Sequence, residues 1–108
     1  MQTANKGIHS MRVSEITVKN LADYLKLEYS SLAEEEIIEL SAFLQAAQRF
    51  IADYTGLSDD EIDKHETFVI AVYVLVQDMY DNRSYYVDKS NLNRVVDAIL
   101  AMHSVNLL

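Results

Sequence analysis

The nine residues Phe68-Val-Ile-Ala-Val-Tyr-Val-Leu-Val76 form the longest apolar run in the chain, and their reading decides the fold. Their β-branched and aromatic side chains have the composition of a strand buried on both faces. Two observations turn the reading to helix. The apolar pattern continues through Met79 and Tyr80, broken only by Gln77 and Asp78, and an element of about 15 residues is long for a strand. No second stretch offers itself as a pairing partner, and a lone strand is not stable. The run is also about half of what a bilayer span requires, so no membrane partner follows from it. On a helix, Phe68, Val72, Leu75 and Met79 fill one face, while Ile70, Tyr73, Val74 and Val76 lie on the others. Apolarity on all sides demands cover on several sides. The stretch therefore predicts a helix over 67–82 and a partner surface, hence an oligomer.

Upstream, Ser58 and Glu61 have the spacing of a capping box and predict a short helix near 59–64. Before it, Ile37, Leu40, Leu44, Ala47, Ile51 and Tyr54 recur at helical spacing, with Phe43 and Phe50 widening the stripe. Ser31 and Glu34 supply a capping box at one end, and Gly56 a left-handed C′ residue at the other, giving a helix over 32–55. Thr17 caps an earlier helix over 18–26, with Ile16 and Leu21 spaced as a hydrophobic staple. Asn20 stands where a capping box would carry Glu, leaving that cap half complete. Downstream, Asn82-Arg83-Ser84 closes the central helix. Leu92, Val95, Val96, Ile99, Leu100 and His103 then form an amphipathic stripe on a helix over 90–103, starting near Asp88 or Ser90. Residues 1–12 read as a disordered leader or extension, and 13–108 as one helical domain. The fold is all-α: four main helices and one short one.

Composition agrees. The 108 residues contain no proline and two glycines, against about 5 and about 7 in an average chain of this length. Turn-rich sandwiches and barrels need more of both. Gly7 and Gly56 are too far apart for a phosphate-cradling loop. The absence of cysteine excludes a disulfide framework, a thiolate metal site and a cysteine nucleophile. The formal charge is −8, and residues 34–66 hold ten acidic side chains against Arg49 and Lys64. That balance disfavours a phosphate-backbone binder, and its ordinary explanation is a solvated helix face. Without a visible secretory signal, an intracellular soluble protein is the expectation.

Candidates for chemistry are few. His9, His65 and His103 are scattered in sequence, and only Glu61 and His65 share an i, i+4 spacing. A metal site needs more ligands than two, so no metal or other cofactor is assigned. Asp59/Asp60 and Asp78/Asp81 are better explained as surface than as acid–base pairs. Tyr24, Tyr54 and Tyr80 fall at core positions of their stripes. The residues point to no enzyme.

Several segments resemble one family in order and spacing. Val13-Ser-Glu-Ile-Thr-Val-Lys-Asn-Leu-Ala-Asp-Tyr-Leu25 is similar to the opening helix of the small head–tail connector proteins of long-tailed bacteriophages. So are Ala46-Ala47, Phe50-Ile51 and Tyr54-Thr55-Gly56, then Met79-Tyr80-Asp81-Asn82-Arg83-Ser84, then Asn93, Val96, Ile99-Leu100 and His103. The likeness covers residues 13–108 and is closest to the form in phages and prophages of Gram-positive bacteria.

The resemblance implies a structural virion protein without catalytic residues. Such adaptors form a ring beneath the portal, extend the DNA channel and join the filled head to the next head-completion or tail component. The expected partners are copies of itself, the portal protein and that next component, with DNA passing through unread. The place is the virion neck, reached from the host cytoplasm. Interface residues are then expected at Ile70, Tyr73, Val74, Tyr80, Arg83, His103, Val105, Leu107 and Leu108. Glu34, Glu35 and Glu36 become candidates to line the channel. The end of the chain would dock on the portal, and deletion after Met102 would leave the fold intact. A rival reading is a small helical regulator or antitoxin-like module acting as a dimer.

Overall fold

A computed structural model describes residues 11–105; residues 1–10 of the expected leader, and the interface candidates Leu107 and Leu108, lie outside the described residues. Among the described residues the chain is all helix and turn, as expected. Helices α1 (Val18–Tyr24), α2 (Glu34–Thr55), α3 (Asp59–Ile62), α4 (Thr67–Asn82) and α5 (Arg94–His103) alternate with 3₁₀ turns at Val13–Glu15, Tyr29–Ser31 and Lys89–Asn91. Order begins earlier than expected. The Arg12 amide donates to Glu15 Oε1 at 2.9 Å, and the Tyr73 hydroxyl donates to the Met11 sulfur at 3.7 Å.

The largest helix–helix contact is α2 on α4, followed by α4 on α5, with α1 lying against both α2 and α4. Phe43, Phe68, Leu21, Leu40, Ile51, Leu75 and Leu100 fill the common core. The central α4 buries Phe68, Val69, Ala71, Val72, Leu75, Val76 and Met79. Val76, expected on an outer face, is thus covered by the chain itself, because α4 is packed from several sides. Ile70 is the large exception, at 50% exposure, with Tyr73 and Val74 half-buried beside it.

Several helix ends differ from the expected ones, each for a local reason. Thr17 Oγ1 accepts from the Asn20 amide at 3.1 Å, and Asn20 Oδ1 accepts from the Thr17 amide at 2.8 Å. Asn20 therefore completes the reciprocal cap that had been expected to remain half made. For α2 the expected Ser31–Glu34 box does not form. Ser31 closes a 3₁₀ turn, Leu32 is extended, and Glu36 instead accepts the Ala33 amide at 2.8 Å. The expected start of α5 at 88–90 is likewise a 3₁₀ turn, in which Asp88 accepts from the Ser90 amide. The true N-cap is Asn93, whose Oδ1 takes the amides of Val95 and Val96. The short helix keeps its Ser58–Glu61 box but stops at Ile62, as Asp63 turns to hold the Ser14 amide and hydroxyl at 3.0 and 2.6 Å.

Two helices end on a non-glycine residue in the left-handed region. α1 stops at Tyr24, two residues short of expectation, since Lys26 has φ 65° and Leu27 donates back to Ala22 O at 2.8 Å. α4 ends in the same way at Arg83, φ 52°, with Ser84 donating to Met79 O at 3.0 Å. A Cβ in this region is strained by roughly 1–2 kcal/mol. Lys26→Gly is therefore expected to raise stability by about 0.5–1 kcal/mol in urea denaturation, after glycine's own entropy cost is deducted. Arg83→Gly is expected to give no gain, because the side chain at that position has partners to lose.

Candidate functional site

Those partners form a cluster that ties the α4–α5 loop to α2. Arg83 Nη1 donates to Glu39 Oε1 at 2.6 Å, and the Tyr85 hydroxyl donates to Glu39 Oε2 at 2.7 Å. The guanidinium also sits 4.5 Å above the centre of the Tyr80 ring, a favourable cation–π placement. Phe43 lies beneath, its ring stacked on Tyr85 at 5.2 Å and edge-on to Tyr80 at 6.5 Å. The Glu39 carboxylate pushes the Tyr85 phenol and the Arg83 guanidinium up, because both donate to it. Arg83 and Tyr80 were expected to face a partner; here they bind within the chain, although the Arg83 side chain remains 60% exposed. Glu39 was not foreseen, because a single acid in an acidic helix start carries no distinguishing signal.

The other interface candidates divide into two places. Ile70, Tyr73 and Val74 lie on the outer side of α4. Tyr73 stacks parallel on Tyr24 at 4.8 Å, and burial raises its phenol, with Asp23 adding to the effect. Tyr24, expected in the core, is 41% exposed and forms the rim of this patch. His103 and Val105 sit at the other place, near the end of α2 and the first turn of α4. The His103 ring lies 4.2 Å from His65 and 5.1 Å from Phe68. The Val105 amide donates to Thr55 O at 2.8 Å, and its side chain packs where Gly56 has no Cβ. Deletion after Met102 would remove these contacts of His103 and Val105.

The structure thus brings two histidines together that are far apart in sequence. They gather no further ligand: among the described residues no group of three or more histidine or acidic side chains is placed to hold a metal ion. Glu34, Glu35 and Glu36 are exposed on the first turn of α2, with Glu36 also serving as the cap. No helix among the described residues is long and apolar enough to cross a membrane. Comparison with protein-family models, with curated proteins and with solved structures gives no significant match.

Proposed function

We propose that this chain is a structural adaptor of the phage head–tail junction, assembling with copies of itself into a ring beneath the portal. The observation that carries the proposal is the outer face of α4, where half-exposed Ile70 continues into Tyr73, Val74 and the Tyr24 ring. An apolar face left on the central helix of a small bundle is suited to burial against another subunit. The segment Met79–Ser84, which carries the most specific part of the resemblance, forms the end of the same helix. The exposed acids of α2 are compatible with a channel wall that DNA passes without being held.

Ile70→Asp is expected to raise the concentration for half-assembly at least about tenfold, the equivalent of about 1.4 kcal/mol, while leaving the circular dichroism spectrum unchanged. Light scattering and negative-stain imaging, with and without portal protein, measure it. Because each subunit carries −8, added salt should strengthen assembly by screening like charges. Rings that form equally well from the Ile70→Asp variant, or a fixed dimer indifferent to portal protein, would refute the adaptor reading; the second result would favour a dimeric regulator.

A further inference from the structure

A cavity of about 480 Å³ opens between the second half of α4 and the loop leading to α5. Leu75, Met79, Val87 and Leu92 give it an apolar part, next to polar Asn82, Ser84 and Asn91. Two carboxylates, Asp78 and Asp88, also line it, and no basic side chain does. The two acids differ. Asp88 is occupied, accepting from the Ser90 amide and hydroxyl and from Asn91 Nδ2. Asp78 is half-buried, and no donor among the described residues reaches its carboxylate; neighbouring Asn82 bonds to the Asp78 backbone oxygen instead.

We infer that this cavity is a docking site for a basic segment of another protein, which inserts an arginine or lysine side chain. Such a side chain matches the cavity in both of its parts. Its methylene stem covers apolar surface while its charged head stays solvated, here beside Asp78. Charge complementarity also selects the kind of partner. The cavity itself is lined by two carboxylates and no basic side chain, which favours a cationic segment.

The test uses the full chain, labelled with ¹⁵N, and n-butylguanidinium as the probe, with neutral n-butylurea as its uncharged counterpart. The cation should shift amides of residues 75–92 saturably, and the urea should not. Asp78→Asn should weaken binding about fivefold, the value of a partly exposed ion pair of about 1 kcal/mol. Independently of that variant, affinity should fall as pH drops through the titration of Asp78. Partial burial, reinforced by Asp81, raises that titration from the ordinary aspartate value. Equal shifts from the urea, shifts spread over residues 34–66, or unchanged affinity in Asp78→Asn would each overturn the proposal. So would affinity that stays flat as acid is added until the carboxylates are protonated. Shifts of the same amides on concentrating the protein alone would place a second copy in the cavity and overturn it as well.

Discussion

Phe43→Ala is expected to lower the unfolding free energy by about 3–5 kcal/mol, the range for truncating a buried phenylalanine. Phe43 is fully buried and sits where α2, α4 and the α4–α5 loop meet. Its loss removes apolar contact and leaves a cavity that rigid helices on both sides cannot close. It also withdraws the surface on which Tyr85 stacks, so the Glu39–Arg83–Tyr85 bonds lose their support. Urea denaturation followed by circular dichroism gives the stability change, and titration of tyrosine absorbance gives the second effect. Once Tyr85 no longer donates to Glu39, its phenol should return toward the ordinary tyrosine range. A loss below about 1.5 kcal/mol, the cost of a volume-conserving swap, would show that the cluster does not depend on this ring.

Thr55→Val should cost about 1–3 kcal/mol although it is close to isosteric, because it removes a buried hydroxyl's bond and leaves the part-buried Leu57 amide unmet. Thr55 is the single fully buried polar residue among those described. Its hydroxyl donates to Ile51 O at 2.7 Å and accepts from the Leu57 amide at 3.2 Å, just past the point where Gly56 turns at φ 76°. Valine abolishes both bonds and strands the Leu57 amide at a turn the chain cannot relax. Thr55→Ser keeps the hydroxyl and should recover most of the loss. Equal destabilisation by serine and valine would assign the effect to packing of the methyl group and not to the hydroxyl. The Thr55 carbonyl, which receives the Val105 amide at 2.8 Å, is untouched by either change, so the end of the described chain should stay in place.

Both sites show what kind of information the sequence carried. The helices were legible because an apolar stripe repeats many times; α4 runs over the residues that its pattern predicted, and α2 departs by two at its start. Their ends were less so, since a cap rests on one or two side chains. Ser31 and Glu34 have the right spacing, yet the 3₁₀ turn at 29–31 uses Ser31 first and passes the role to Glu36. Lys26 and Arg83 gave no warning, because the left-handed C′ position normally announces itself as glycine. The long-range pairs were not legible at all. Glu39 with Arg83 and Tyr85, Ser14 with Asp63, and His65 with His103 join residues that only the packing of α2, α3, α4 and α5 brings together. The outer face of α4 lay between these cases. Its apolarity was plain in the sequence, but how much of it neighbouring helices would cover depended on the packing, which reduced the open part to the surroundings of Ile70.

The helices are unequal in how firmly they are held. α4 is anchored by seven buried side chains, whereas α5 contributes Val96 and Leu100 to the core and is reached through a loop whose main tie to α2 is Glu39. Regions with few buried apolar contacts open at a lower free energy than the whole domain. α5, and α1 with only Leu21 and Ala22 buried, should therefore open before the α2–α4 pair, and their amides should exchange with solvent deuterium well before those of α4. The molecule would then have two thermodynamic tiers, an α2–α4 scaffold that lasts and two outer helices that open first.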